Sequence, residues 1–177
     1  MHLDSLNQTK MKRIAAASLL ILLPLFSWSQ DTQKITTFIV VRHAEKSKEN
    51  SKDPELAPEG VERSGKLAQV LRDVNVNAIY STNFKRTRNT VTPLATQKAL
   101  EIQTYESIKE NTIDDLIKKY PAGTIVIAGH SNTVPGIVNL LVGGTQYKDL
   151  DDSNYSTLFI VSVVERAKVT SVTQLQY

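Results

Sequence analysis

The stretch Ile35-Thr36-Thr37-Phe38-Ile39-Val40-Val41, followed at once by Arg42 and His43, sets the fold of this chain. It is apolar almost throughout, as expected for a strand of a parallel sheet that is covered on both faces. A second apolar run, Gly123 to Ala128, is followed two residues later by His130. Ligands collect at the carboxyl ends of parallel strands in an open α/β sheet. We therefore predict that the two histidines converge at one edge of such a sheet.

The rest of the chain alternates apolar, β-branched runs with amphipathic stretches. This alternation predicts one α/β domain, a three-layer sandwich with a mostly parallel central sheet flanked by helices. The predicted strands are residues 35–41, 76–80, 100–104, 123–128, 155–164 and 168–176, and the last two should form a hairpin at the sheet edge. The predicted helices are residues 59–73, a helix from residue 84 onward, residues 112–119 and a helix between Pro135 and Gly143.

Three polar or proline residues refine the predicted helix boundaries. We expect Asn83 to cap the second helix and Pro93 to kink or divide it. Thr112, with Asp115 three residues later, predicts a capping box at the start of the third helix.

The first 29 residues have the pattern of a secretory signal. Lys12 and Arg13 precede 13 mostly apolar residues, 14–26, and small residues follow up to Ser29. A membrane-spanning helix needs about 20 apolar residues, so the run favours an exported, periplasmic or secreted protein. We predict a signal peptide over residues 1–29 and one domain over 30–177, without stable membrane association after cleavage. An uncleaved anchor is the alternative, and Met11 is an alternative start.

Composition excludes several classes of function. Removal of residues 1–29 takes three basic residues and one acidic residue from totals of 21 and 18, which leaves 18 and 17. A net charge of +1 gives no support for nucleic-acid binding. Cysteine is absent, which excludes disulfides and Cys-ligated metals. His2 leaves with the signal, so only His43 and His130 remain and we expect neither a metal nor a cofactor.

The residues after the predicted strands have the chemistry of phosphoryl transfer. The imidazole of His43 can accept a phosphoryl group if the attacking nitrogen is neutral and a hydrogen bond at the other nitrogen fixes the tautomer. Arg42 and Arg86 can clamp the phosphoryl oxygens, because the forked donors of guanidinium match phosphate without a metal. We predict a small phosphorylated molecule as the partner. The oligomeric state stays open.

A second group of donors follows the fourth predicted strand. His130 would complete the ring of donors around the phosphoryl group. The backbone amides of Ser131 and Asn132 lie ahead of a predicted helix, where partial positive charge favours an anion. We therefore include both residues in the predicted substrate site.

Three motifs together resemble the histidine phosphatase superfamily, which has the phosphoglycerate mutase-like fold. They are the Arg42-His43 pair, the run from Ser81-Thr82 through Arg86-Thr87 with Thr90, and Gly129-His130. The segment Asp53-Pro54-Glu55-Leu56 with Gly60 is similar to the one before that family's first helix, so the resemblance covers almost all of residues 30–177. It implies a metal-independent phosphatase with a phosphohistidine intermediate on His43. It also implies that phosphate is bound by Arg42, Arg86 and His130.

The proton donor is less clearly marked. Counting from the third predicted strand puts Glu110 where the mutase-like branch of the family has its catalytic glutamate, and Glu106 is a nearer substitute. Neither has that branch's usual glycine and tryptophan neighbours, and Ala44 stands where many members have glycine. An alkoxide leaving group needs an acid, whereas a phosphoramidate needs less help. The substrate is therefore open between a phosphomonoester and phosphohistidine.

Two other functions are alternatives to a histidine phosphatase. Gly129-His130-Ser131-Asn132-Thr133 approaches the nucleophile elbow of α/β-hydrolases, with Ser131 as nucleophile. Thr133 replaces the elbow's last glycine, and the histidine that must follow the serine is missing from the sequence. The second alternative is a phosphate-binding module that has the pocket but lacks a competent acid. Phosphate release from a test ester separates this module from an enzyme.

Overall fold

The computed structural model describes residues 33–177, so the predicted signal segment lies outside the described residues. In chain order the elements are β1 (Thr36–Arg42), α1 (Pro58–Val70), β2 (Ala78–Ser81), α2 (Lys85–Lys98), β3 (Ile102–Thr104), α3 (Glu110–Lys119), β4 (Thr124–Gly129), α4 (Thr133–Val142), β5 (Thr157–Glu165) and β6 (Val169–Gln176). They include one six-stranded sheet in the order β3-β2-β4-β1-β5-β6. β1 to β4 are parallel, and β5 and β6 add an antiparallel hairpin at one edge. The predicted α/β fold is confirmed.

Helices cover both faces of the sheet, which makes three layers. Successive side chains of a strand point to opposite faces. Phe38 and Val40 of β1 accordingly pack in the core with α3 and α4. Ile39 and Val41 pack in the other core with α1 and α2. All four side chains are buried. Two apolar layers thus hold β1 rigidly at the centre of the molecule, up to the residue before Arg42.

The register of the parallel strands aligns the ends that carry the predicted site. Arg42 at the end of β1 lies opposite Gly129 at the end of β4. Ser81 at the end of β2 lies opposite Ala128. The amide of His43 continues this alignment by donating to the Gly129 carbonyl at 2.8 Å. The loops that follow β1, β2 and β4 therefore leave the sheet at the same edge.

Two predicted helix boundaries are wrong. The N-cap of α2 is Phe84, without a side-chain cap of its own. The amide of Lys85 donates instead to the Asp53 carboxylate at 3.0 Å, across 32 positions of the chain. α3 begins at Glu110, two residues earlier than expected, and its N-cap is Lys109. Thr112 is the third residue of the helix and accepts a hydrogen bond from the Lys109 amide. The Asp53 contact comes from a distant loop and cannot be derived from local spacing, whereas Lys109 and Thr112 have the three-residue spacing of a capping box.

The helix α2 continues through Pro93 as one element, so the proline does not divide it. Proline lacks the amide that would donate to the carbonyl four residues earlier. The buried side chains of Val91, Leu94 and Ala95 pack on both sides of the proline against the sheet. Burial of these apolar groups offsets the one lost hydrogen bond.

The backbone at the start of α1 packs closely against the backbone just after His43. A Cβ atom on Gly60, in the first turn of α1, would collide with the carbonyl oxygen of Glu45. Glycine is therefore the residue that lets α1 pack on the segment just after His43. No helix within residues 33–177 has the length and apolarity needed to cross a bilayer.

Candidate active site

The structure brings the two predicted histidines and the two predicted arginines together where the parallel strands have their carboxyl ends, which we call the carboxyl edge of the sheet. The rings of His43 and His130 are 5.5 Å apart between centroids, in an edge-on arrangement. Arg42 directly precedes His43, and the charges of Arg42 and Arg86 both act on the two imidazoles. Residues from β1, α2 and the turn after β4 thus form one cationic cluster, as the sequence predicts.

His43 has the tautomer that a nucleophilic imidazole requires. Its Nδ1 lies 2.8 Å from the carbonyl oxygen of Ala44, so Nδ1 donates the proton and Nε2 retains its lone pair. The ring is buried, with 5% of its surface exposed. Burial lowers the pKa of His43 to about 4, and the nearby charges of Arg86 and Arg42 act in the same direction against the opposing effect of the Ala44 hydrogen bond. The imidazole is therefore neutral at pH 7.

A buried hydroxyl joins the segment of His43 to the helix of Arg86. Thr90 Oγ1 accepts a hydrogen bond from the Ala44 amide at 2.8 Å. The same oxygen donates to the Arg86 carbonyl at 2.7 Å. Thr90 is fully buried, so both bonds are shielded from water. One side chain therefore links the segment after His43 to the backbone of Arg86.

The guanidinium of Arg42 is held by the loop that precedes β5. Nη1 donates to three main-chain carbonyls of that loop, at 2.8 Å, 3.2 Å and 3.0 Å, which belong to Asp151, Asp152 and Asn154. The ring of Tyr155 packs against the guanidinium at 4.2 Å. Arg42 Nε is buried and has no partner among the described residues. Nη1 of the guanidinium is thus fixed by the loop, whereas Nε keeps a donor that no described protein group satisfies.

Arg86 contacts an aromatic ring and a carboxylate through its guanidinium. Its guanidinium lies 4.5 Å from the ring of Phe84 and its Nη1 lies 3.8 Å from the Asp53 carboxylate. Its Nε is also buried without a partner in the described part of the chain. Burial lowers the pKa of Arg86, whereas Asp53 raises it. Two arginines with buried, unpaired donors are suited to bind one phosphoryl group.

The turn after β4 is ordered by its own side chains. The amide of His130 donates to Thr133 Oγ1 at 2.8 Å, and His130 Nε2 lies 3.5 Å from Thr87 Oγ1. Burial lowers the pKa of His130, and Arg86 and Arg42 lower it further. Ser131 and Asn132 form the turn into α4, where the sequence placed them.

The structure does not bring Glu110 into this cluster. Its carboxylate lies 3.4 Å from Nη2 of Arg166, which also binds Asp114. Arg166 is in the turn after β5, and β5 runs antiparallel to β1 with Val163 opposite Thr36 at the start of β1. That turn lies at the edge of the sheet opposite to His43. The structure thus places the Glu110 carboxylate beside Arg166 and not beside His43, and its role as proton donor stays a prediction.

Glu106 lies in the loop after β3, at the same edge of the sheet as the cluster. The preceding residue, Tyr105, donates its hydroxyl to the Ala128 carbonyl at 2.9 Å. This contact reaches across β2 to the end of β4 and ties the loop to the segment before His130. Glu106 itself is exposed.

Sequence reasoning missed three contributors to the site. Tyr155 and Phe84 each pack on an arginine, and each also contacts a histidine, at 5.9 Å from His43 and 5.2 Å from His130. Asp53 contacts Arg86 and the start of α2. The acidic residues before Tyr155 indicate a loop, but no spacing in the sequence indicates that its carbonyls bind Arg42. Within residues 33–177 no three His, Asp or Glu side chains are grouped as a metal site.

The fold and the cluster define a phosphoglycerate mutase-like α/β domain with two arginines and two histidines at the carboxyl edge of its sheet. The sequence model that describes branch 1 of the histidine phosphatase superfamily matches residues 38–113, which include Arg42, His43 and Arg86. Over these residues the chain is similar to the histidine phosphatase superfamily, which is the resemblance that the motifs predicted. This match supports phosphatase activity in general. A search of curated protein sequences found no significant match.

Three solved structures share the fold at low identity. The protein histidine phosphatase SixA, solved with tungstate, is 14% identical with a TM-score of 0.66, over 79% of this chain and 96% of that chain. Phosphoserine phosphatase from Entamoeba histolytica, solved as a mutant with phosphoserine, is 18% identical with a TM-score of 0.62, over 78% and 95%. A mycobacterial glucosyl-3-phosphoglycerate phosphatase is 12% identical with a TM-score of 0.62, over 73% and 91%. At these identities the similarity establishes the fold.

Proposed function

We propose that this protein is a metal-independent phosphatase that hydrolyses a phosphomonoester or a phosphohistidine through a phosphohistidine on His43. The observation that carries the proposal is the buried, neutral imidazole with Nδ1 bonded to Ala44, in the same cluster as Arg42 and Arg86. The two guanidiniums supply the positive charge that a metal ion would otherwise supply. A SixA structure with tungstate and a phosphatase structure with phosphoserine support a small phosphorylated substrate.

The reaction has two steps. The Nε2 lone pair of His43 attacks phosphorus, the bond from phosphorus to the leaving group breaks, and the leaving group takes a proton from an acid. Water then attacks phosphorus, the bond from phosphorus to Nε2 breaks, and the proton of the water returns to the conjugate base. Arg42, Arg86 and His130 stabilise the charge on the phosphoryl oxygens in both steps.

Glu106 is the proton donor that we propose in place of Glu110. It lies in a loop at the carboxyl edge, and the neighbouring Tyr105 anchors that loop near His130 through the Ala128 carbonyl. A carboxylic acid is needed for an alkoxide leaving group and contributes much less for a good leaving group.

Formation of the phosphoenzyme tests this proposal. The protein, incubated with p-nitrophenyl phosphate and EDTA and quenched, should carry one acid-labile, alkali-stable phosphoryl group. Peptide mapping should locate the group on His43. His43→Ala should abolish it, whereas His130→Ala should slow its formation and leave it on the same residue. Full phosphate release by His43→Ala, or a phosphoryl group elsewhere, overturns the mechanism.

A phosphate-binding module without turnover is the second candidate. It is favoured by the exposure of Glu106 and by the ion pair that holds Glu110 away from the cluster. Such a module would bind inorganic phosphate and release none from an alkyl phosphate, because the alkoxide leaving group needs an acid. p-Nitrophenyl phosphate reports on the histidine and the arginines alone, because nitrophenolate is a good leaving group that requires no acid.

Export is a further part of the proposal and rests on the sequence alone. We propose that residues 1–29 act as a signal and that residues 30–177 work as one domain in the periplasm or outside the cell. Secretion of a chain that begins at Gln30, determined by mass spectrometry of the intact protein, is the expected result. A chain that retains residues 1–29 in the membrane fraction contradicts it.

A further inference from the structure

Two carboxylates of the loop between β1 and α1 fasten this loop to the start of α2. Asp53 Oδ1 accepts the Lys85 amide at 3.0 Å and lies 3.8 Å from Nη1 of Arg86. Glu55 lies 3.0 Å from Nζ of Lys85 and accepts Nδ2 of Asn89 at 2.7 Å. Both residues anchor the loop, but only Asp53 contacts an arginine of the active-site cluster.

Asp53 takes the place of an N-cap for α2. The cap residue Phe84 provides no side-chain acceptor. An oxygen that accepts an amide of the first turn and stands close to the positive end of the helix stabilises that turn. Arg86 is the second residue of the turn, so the same carboxylate fixes the backbone and faces the guanidinium. Phe84 packs against that guanidinium at 4.5 Å.

We infer that Asp53 is a positioning residue that fixes Arg86 for phosphate binding and whose negative charge weakens the hold of the site on the phosphate product. The inference rests on the proposed function, because it assumes that phosphate binds Arg86. The hydrogen bond to Lys85 does the positioning. The charge, which faces the same guanidinium as the phosphate, acts against a second anion.

Exposure decides how strongly each nearby carboxylate acts. Asp152 also lies 3.8 Å from an arginine, Arg42, but its side chain is fully exposed, whereas 38% of the Asp53 side chain is exposed. Water and salt screen an exposed charge much more than a partly buried one. Asp53 also has a fixed position, because its oxygen accepts a main-chain amide. A charge held in place near the phosphate changes product affinity more than a solvated one.

Substitution separates the hydrogen bond from the charge. Asp53→Asn keeps an oxygen acceptor for the Lys85 amide and removes the charge. Asp53→Ala removes both. Glu55→Gln is the matched control. It removes a charge from the same loop, and this charge pairs with Lys85 and does not contact Arg86. Calorimetry measures the affinity for inorganic phosphate, and p-nitrophenyl phosphate hydrolysis gives kcat and KM.

We expect Asp53→Asn to bind phosphate about three- to tenfold more tightly than the wild type at low salt, with the difference shrinking at high salt. We expect KM to fall and kcat/KM to rise by no more than the same factor, because the acceptor is retained and the phosphoryl group of the substrate meets the same change in charge. Asp53→Ala should lower kcat/KM by about tenfold or more through displacement of Arg86. Glu55→Gln should leave both quantities within about twofold of the wild type.

Phosphate affinity of Asp53→Asn that equals or falls below that of the wild type overturns the electrostatic role. Wild-type kcat/KM in a folded Asp53→Ala overturns the positioning role, and folding is checked by circular dichroism. If Asp53→Ala does not fold, the affinity of Asp53→Asn and its salt dependence still decide the electrostatic role, on which the inference then depends. Calorimetry needs no turnover, so failure of the proposed enzymatic activity is distinguishable from failure of this inference.

Discussion

His43 combines three local features that a nucleophilic imidazole needs. It is buried, it lies near two guanidiniums, and its Nδ1 proton is held by the Ala44 carbonyl. Burial and positive charge both oppose protonation of the ring. The same features that suit His43 to the proposed role of nucleophile make the folded state sensitive to acid.

The pH dependence of stability tests this account of His43. The folded protein holds the pKa of His43 at about 4, below the value of 6.5 for the free side chain. The unfolded state therefore binds more protons between these values, and the free energy of unfolding falls as pH falls from about 6.5 to about 4. The full contribution is about 3 kcal/mol. Urea unfolding at several pH values should show this loss, and His43→Asn should show a smaller slope. Equal slopes contradict the prediction.

The sequence predicts the residues that follow directly on strands, and it predicts little that depends on contacts between loops. Arg42, His43 and His130 are predicted as site residues because each follows an apolar run, and the carboxyl ends of parallel strands lie side by side. The contacts that Asp53 and Glu110 make are not predicted. Each side chain is held by a partner 32 or 56 positions away, which local spacing does not encode.

At the scale of elements, the junction between β1 and α2 depends on Thr90. Thr90→Val removes the acceptor of the buried Ala44 amide and should destabilise the protein by about 1–3 kcal/mol. It should also lower kcat/KM, because the amide adjoins His43. Thr90→Ser retains the hydroxyl and should restore most of the activity. Denaturant unfolding and steady-state kinetics measure the two effects.

A second threonine of α2 provides the control for that prediction. Thr92 donates to the Arg88 carbonyl at 2.9 Å, as Thr90 donates to Arg86, but Thr92 is exposed. Thr92→Val should change stability by less than about 0.5 kcal/mol and leave activity unchanged. Equal effects of the two valine substitutions would show that the bridge to Ala44 has no special role.

The packing of α1 on the segment after His43 depends on Gly60. A methyl group there meets the Glu45 carbonyl, so Gly60→Ala should destabilise the protein by about 3 kcal/mol or more and reduce kcat. Gly65 lies on the same helix with open space around its Cβ position. Gly65→Ala should stabilise by about 0.5–1 kcal/mol, as a helical glycine replaced by alanine does. Thermal unfolding compares the two, and similar shifts contradict the account of close approach.

At the scale of the whole molecule, the two edges of the sheet have different roles. The carboxyl edge carries the cationic cluster, and the opposite edge carries the turn after β5 with Arg166 and its acidic partners. The strand register forces this separation, because residues that end β1 and residues that end the antiparallel β5 lie at opposite edges. Alternation of apolar runs predicted the sheet and its antiparallel hairpin. It did not predict that the side chain of Glu110, in α3, would pair with Arg166 at the opposite edge.

The separation of the edges makes opposite predictions for two glutamates. Glu110 is held by Arg166, so Glu110→Gln should leave kcat within about twofold for alkyl and nitrophenyl phosphates. Glu106→Gln should lower kcat for an alkyl phosphate by about 10²- to 10⁴-fold and change nitrophenyl phosphate hydrolysis little, because only the alkoxide needs a proton in the transition state. Steady-state rates with both substrates measure this difference. A selective loss with the alkyl phosphate in Glu110→Gln would contradict the placement of Glu110 and return the role of proton donor to it.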